Sequence, residues 1–182
     1  MKPLIKYCAF LRAINVNGSR IKMQSLVHAL EGKELLNVKT VLASGNVLFL
    51  SSLPKGELKT FIENRLQENF DFRSEVFLYT KEEIEQLLEK DPLEAKQELH
   101  TYVVLSEKKG EWLLERVKRE TLLEGETLKV SERHLYWQVP RNSTVDSKVS
   151  KKLSKREIKT LLTTRNKNTL EKISKQLNLM ES

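Results

Sequence analysis

The sequence predicts an α+β protein made of two ferredoxin-like (split β-α-β) halves with antiparallel sheets, the second half incomplete. Three observations predict it. Residues 1–80 alternate strand-like and helix-like segments in the order β-α-β-β-α-β, which folds as a four-stranded antiparallel sheet with both helices on one face. Residues 99–182 run β-α-β-β-α, the same order without its last strand, and share no evident residue pattern with the first half. The composition, 39% apolar and 31% charged, suits a packed core under a solvated surface.

The elements follow from local pattern. Pro3 to Ile14 is apolar and aromatic enough for a buried strand. Asn15-Val16-Asn17-Gly18-Ser19 reads as a loop. Met23, Leu26, Val27 and Leu30 recur at helical spacing, with Gly32 as the stop. Val38 to Ala43 and Val47 to Leu50 form a hairpin around Ser44-Gly45-Asn46. Pro54 opens a helix to about Asn69, with Leu58, Phe61, Ile62, Leu66 and Phe70 as its apolar stripe. Glu75 to Thr80 is the fourth strand.

Residues 81–98 form an acidic helix and a connector. Thr80 and Glu83 stand at capping-box spacing, and Pro92 follows the helix. In the second half, 99–182, Thr101 to Leu105 is a strand and Lys109 to Arg119 a helix. Glu126–Val130 and His134–Val139 flank a Ser131-Glu132-Arg133 turn. A helical region covers about 147–178.

The charge is one-sided. Residues 141–182 hold 11 Lys and Arg against Asp146, Glu157, Glu171 and Glu181, a net of +7. Residues 1–140 hold 21 basic and 21 acidic side chains and balance. A one-sided basic segment attracts polyanions and raises their on-rate, although a Lys-rich solvated helix face carries the same charge. No apolar run approaches the roughly 18 residues of a membrane span, which predicts no membrane partner. The N-terminus has no small-residue cleavage site. A single cysteine, Cys8 within an apolar strand, excludes an internal disulfide and leads us to expect a core thiol in a reducing, cytoplasmic compartment.

No strong chemical signature is present. G-x-x-x-x-G-K-[ST], G-x-G-x-x-G and G-x-S-x-G patterns are all missing. His28, His100 and His134 lie far apart without metal-ligand spacing, so neither metal nor cofactor is expected. Three polar clusters remain. Arg12 with Asn15, Asn17 and Gly18 ends the first strand; it either grips an anion beside loop N–H groups or pairs with an acid. Ser44-Gly45-Asn46 is a hairpin tip whose residues also simply make a turn. Thr163-Thr164-Arg165-Asn166-Lys167-Asn168-Thr169 precedes the stripe Leu170, Ile173, Leu177. It either caps that helix or cradles a phosphate at its N-terminus.

Leu11-Arg12-Ala13-Ile14-Asn15-Val16-Asn17-Gly18, Ile21-Lys22-Met23, Ser44-Gly45-Asn46-Val47 and Thr163-Thr164-Arg165-Asn166-x-Asn168-Thr169 resemble, in order and over nearly the whole chain, a bacterial family known as domain of unknown function 1697. The resemblance implies an α+β fold of ferredoxin-like pieces and no assigned activity. Ala13 and Asn17 depart from its glycines, and Lys167 stands where the family pattern has Trp. It marks Arg12, Asn15, Ser44, Asn46, Arg165 and Asn166 as site candidates, to which the local clusters add Asn17 and Asn168. Three functions stay open: a nucleic-acid or phosphorylated-ligand binding module, a protein–protein assembly module using a sheet edge, and a small metal-free enzyme on an anionic substrate.

Overall fold

A computed structural model describes residues 3–12, 15–16, 19–71 and 73–181. The chain divides into two compact units, Met1–Ile84 with Lys172–Ser182, and Glu85–Glu171.

The first unit contains β1 (Ile5–Leu11), β2 (Asn15–Val16), β3 (Ser19–Arg20), α1 (Met23–Leu30), β4 (Leu36–Val41), β5 (Asn46–Ser51), α2 (Lys55–Phe70) and β6 (Val76–Thr80). Helix α3 (Lys81–Glu89) follows. The sheet order is β4-β5-β1-β6 and every pairing is antiparallel. Tyr7, Ala9 and Leu11 of β1 share one buried cluster with Leu26 and Leu30 of α1 and Leu58, Ile62 and Leu66 of α2. Both helices therefore pack on one face, as their apolar spacing requires. Each of these leucines, and Ile62, contributes about 1.5–3 kcal/mol when taken from water. The Tyr7 and Phe49 rings stack inside this cluster, 5.7 Å apart. The other face is also buried: Cys8, Phe10, Leu48 and Leu50 on the central strands are at most 1% exposed.

The capping box between Thr80 and Glu83 is formed as the spacing predicts. Thr80 N–H donates to Glu83 Oε2 at 2.7 Å, and Glu83 N–H donates to Thr80 Oγ1 at 3.3 Å. The loop expected over 15–19 is instead crossed by a small ribbon, β2 pairing β3 with Asn15 opposite Arg20. The physical reason is in the sequence between them: Asn17-Gly18 is a dipeptide that favours two-residue hairpins.

The second unit holds β7 (Leu99–Ser106), α4 (Gly110–Val117), β8 (Thr127–Ser131), β9 (His134–Pro140), α5 (Lys148–Leu153), α6 (Arg156–Lys159) and β10 (Leu162–Asn166). Its sheet order is β10-β7-β9-β8. With each half's strands counted in chain order, and the ribbon left out, this is the strand order of the first sheet. The expected helical region 147–178 is thus broken. Two short helices, a strand and α7 (Lys167–Asn178) replace it, and β10 supplies the strand the second half was expected to lack. The physical reason is local: Leu162, Thr163 and Thr164 form a short strand-favouring run that β7 can pair. Between charged helices a run this short gives little periodicity.

Val104, Leu135, Trp137, Leu113, Val117, Val149, Leu153, Ile158 and Leu162 form the second core. On the opposite face, Tyr136 O–H donates to the Leu87 carbonyl at 2.9 Å, and Gln138 Nε2 donates to the Glu94 carbonyl at 2.8 Å. Residues 87–94 therefore run over this sheet face. Burial, then the Asp91 and Glu132 carboxylates, push the Tyr136 hydroxyl above its ordinary range, so it serves as a neutral donor. Among the described residues no helix is long and apolar enough to cross a membrane.

Candidate functional site

Arg12 and the Ser44–Asn46 hairpin meet at one end of the first sheet. Antiparallel pairing of β1 with β5 puts Phe10 opposite Asn46, and Leu11 N–H donates to the Gly45 carbonyl at 2.7 Å. Arg12 directly follows β1. Its N–H donates to the Glu75 carbonyl at 3.0 Å, and its own carbonyl accepts from Ser74 Oγ at 2.6 Å. Burial lowers the Arg12 guanidinium below its ordinary value, and the Glu75 carboxylate opposes that shift. Asn15 lies on β2, and Asn17 lies outside the described residues.

Asn46 is fully buried. Its Nδ2 donates to the Val41 carbonyl at 2.8 Å and to Ser44 Oγ at 2.9 Å. The amide ties both ends of a turn in which Leu42 and Gly45 take positive φ, 58° and 73°. Replacing Asn46 by alanine is expected to destabilise the first unit by about 1–3 kcal/mol, because the half-buried Val41 carbonyl and the Ser44 hydroxyl lose their donor. Urea unfolding measures this, and unchanged stability would remove the turn-holding role.

The terminal cluster lies in the second unit. Arg165 folds back along its own strand: Nη1 donates to Thr163 Oγ1 at 2.6 Å and to the Thr164 carbonyl at 3.0 Å. Asn166 Oδ1 accepts from Asn168 N–H at 2.9 Å, which caps α7, and its Nδ2 lies 3.4 Å from His100 Nδ1. Lys167, where the family pattern has Trp, ion-pairs with Asp91 at 2.6 Å. The Asp91 side chain is 4% exposed and also accepts Leu93 N–H through Oδ1. A lysine here therefore secures the connector 91–93 to the start of α7.

A different surface concentrates positive charge. Residues 148–159 carry Lys148, Lys151, Lys152, Lys155, Arg156 and Lys159 against the single acid Glu157. Val149, Leu153 and Ile158 anchor the segment to the core. Lys148, Lys151, Lys155 and Arg156 are exposed. Lys151 Nζ donates to the Asp146 carbonyl at 3.4 Å, which leaves its charge unneutralised. Among the described residues the segment's only ion pair joins Lys152 to Glu120 at 3.7 Å. The sequence shows the charge of this stretch through its lysine density, but no motif singles out these individual residues.

None of the aromatic rings among the described residues is exposed. Phe49 is in the core, and the partly exposed Trp112 has the Arg116 guanidinium 3.1 Å above its ring. Among the described residues no group of three or more His, Cys, Asp or Glu is placed to hold a metal ion.

No curated protein matches the chain. Among solved structures it is similar to a conserved bacterial protein from Streptococcus pneumoniae, with 23% identity, a TM-score of 0.77, and coverage of 96% of this chain and 99% of that one. That likeness shows the fold. Residues 4–136 match the family model described as protein of unknown function DUF1697, and the chain belongs to that family.

Proposed function

We propose that this protein binds the phosphate backbone of nucleic acid through α5 and α6, without reading sequence. One observation carries the reading: six basic side chains and one acid within residues 148–159, fastened to a core by Val149, Leu153 and Ile158. A cationic surface with little internal neutralisation releases condensed counterions when it meets phosphates. Strand β5 is buried along its whole length, as are residues 7–11 of β1, 135–139 of β9 and 103–106 of β7, which leaves little sheet face for an open stacking platform of the RRM kind. Among the described residues no aromatic side chain is more than partly exposed, so base stacking has little to draw on there and the reading rests on contacts to phosphates. Ligand grip by Arg12, Asn15, Asn17, Ser44, Asn46, Arg165, Asn166 and Asn168 remains part of the proposal only as an extension. Of these, Arg165, Asn166 and Asn168 are in the same unit as the basic segment.

Fluorescence anisotropy with labelled single-stranded RNA, single-stranded DNA and duplex DNA tests it. Affinity is expected to fall about 10²-fold or more between about 50 and 200 mM salt, as neutralisation of several phosphates requires. Reversing Lys151, Lys155 and Arg156 to Glu should weaken binding at least about tenfold. It should also flatten the salt slope by roughly 0.7–0.9 for each phosphate left unneutralised. Arg165→Ala run alongside shows whether the binding surface extends to the start of α7. Absence of binding at low salt would sink the proposal and leave α5–α6 as a solvated face.

A further inference from the structure

The first sheet has one strand whose outer edge faces a groove. Among the described residues β4 pairs only with β5. A bulge between Leu36 and Lys39, with Asn37 at φ 54°, kinks its start. Beyond the bulge, Lys39, Thr40 and Val41 pair in unbroken register with Leu48, Val47 and Asn46. An edge of this kind offers backbone N–H and C=O groups to another chain.

A groove of about 640 Å³ runs along this edge, lined by Val38 through Leu42, by Val27 of α1, and by Lys172 and Gln176 of α7. Side chains of consecutive strand residues point to opposite faces. Five consecutive lining residues therefore mean that the groove follows the backbone edge and does not lie over one face. Lys172 and Gln176 are one helical turn apart and form the facing wall. Val27, Val41 and Leu42 give the slot an apolar side, with Leu42 48% exposed. Its charged lining residues are Lys39 and Lys172, with no acid among them.

We infer that this groove docks an extended acidic–aliphatic segment of a partner protein, which adds to β4 as a further strand. Strand addition draws affinity from main-chain hydrogen bonds and specificity from alternate side chains. Here the alternation calls for aliphatic side chains against Val27 and Leu42 and carboxylates toward Lys39 and Lys172. The straight stretch 39–41 is about 10 Å long at about 3.3 Å per residue, so roughly three residues of the partner are gripped. Lys39 on the edge also disfavours pairing with a second copy of this chain, because two such edges would bring lysines together.

The test uses the full chain, isotope-labelled, with two soluble peptide probes: alternating Glu and Val flanked by glycines, and the same peptide with Lys in place of Glu. Addition of the acidic peptide should shift the amides of Lys39 to Leu42 and of Lys172 to Gln176, with the basic peptide at least about fivefold weaker. The double variant K39E/K172E should reverse that preference. A reversal is a gain of binding that a misfolded variant could not show, so it separates a docking defect from a folding defect. Three results would overturn the inference: no shifts at millimolar acidic peptide, shifts confined to residues 148–159, and equal binding of both peptides. Shifts at the edge that depend on protein concentration alone would overturn it too, by making a second copy the occupant.

Discussion

Glu126→Ala is expected to lower the stability of the second unit by about 3–5 kcal/mol. Glu126 is 6% exposed, and its carboxylate accepts three hydrogen bonds. Oε1 takes Trp137 Nε1–H at 2.7 Å and Ser147 O–H at 2.5 Å; Oε2 takes Leu123 N–H at 2.8 Å. One side chain thus joins the loop before β8, the middle of β9 and the N-cap of α5. Ser147 Oγ in turn accepts Ser150 N–H at 3.2 Å, so the cap of α5 is itself held by the carboxylate. Alanine would strand donors that are buried from solvent, since Ser147 is fully buried and Trp137 is 2% exposed. Each stranded group costs about 1–3 kcal/mol. Glu126→Gln should fall between wild type and alanine: its amide keeps the volume but aims a donor at one of three donors. Thermal unfolding followed by tryptophan fluorescence reads the series, with a fall of roughly 10 °C for alanine. A loss within about 0.5 kcal/mol would mean that the network is replaceable by water. Because α5 carries the basic segment, the alanine variant should also weaken polyanion binding under conditions where it is still folded.

The parts of the fold that are legible in the sequence are those with a local physical signature. Thr80 and Glu83 form their capping box because that motif needs only residues three apart. The stripe Leu58, Ile62 and Leu66 becomes the buried face of α2, and Cys8 is a core thiol. Strand β10 is hidden because its pairing with β7 is long-range: Thr164 sits opposite Val104, and nothing near Thr164 reports that. The same limit hides Glu126. In the chain it is the first residue of a strand-like run, and its partners Trp137 and Ser147 become evident only once β9 and α5 are placed. The groove beside β4 is the extreme case, since Lys39 and Lys172 meet only through the docking of α7 in the first unit.

The candidate sites divide by the same logic. The hairpin motif points to Asn46, yet its amide is spent on Val41 and Ser44 inside the turn. The terminal motif points to Asn166 as a phosphate cradle, and its Oδ1 caps α7. A motif of turn-forming and capping residues is thus kept for backbone geometry as readily as for a ligand. Charge that no ion pair within the fold consumes is the better pointer to a partner. Within residues 148–159 that criterion, taken over the described residues, selects the exposed side chains Lys148, Lys151, Lys155 and Arg156, none of which belongs to a motif.

Gly110→Ala and Gly56→Ala are expected to change stability in opposite directions, although both place alanine within a helix. Helix propensity alone favours alanine over glycine by about 1 kcal/mol at either site. At Gly110 the first residue of α4 lies against the β8–β9 turn, and its N–H donates to the Arg133 carbonyl at 2.7 Å. A Cβ there would sit 2.7 Å from the His134 carbonyl carbon, 2.9 Å from its oxygen and 3.0 Å from Leu135 N. All three atoms are backbone at the start of β9, so no side-chain rotation relieves the overlap. Either α4 moves off its hydrogen bond or the turn shifts against the core strand. Overpacking of this kind costs about 1–3 kcal/mol beyond the propensity gain, and we expect a net loss of about 2 kcal/mol. At Gly56, near the start of α2, nothing beyond the adjoining backbone of the helix itself lies within 4 Å of the added Cβ. Alanine there should stabilise by about 0.5–1 kcal/mol through reduced freedom of the unfolded chain. Urea unfolding of the two variants side by side decides the matter. Equal signs would show either that the β8–β9 turn yields without cost or that the α2 terminus is not a settled helix.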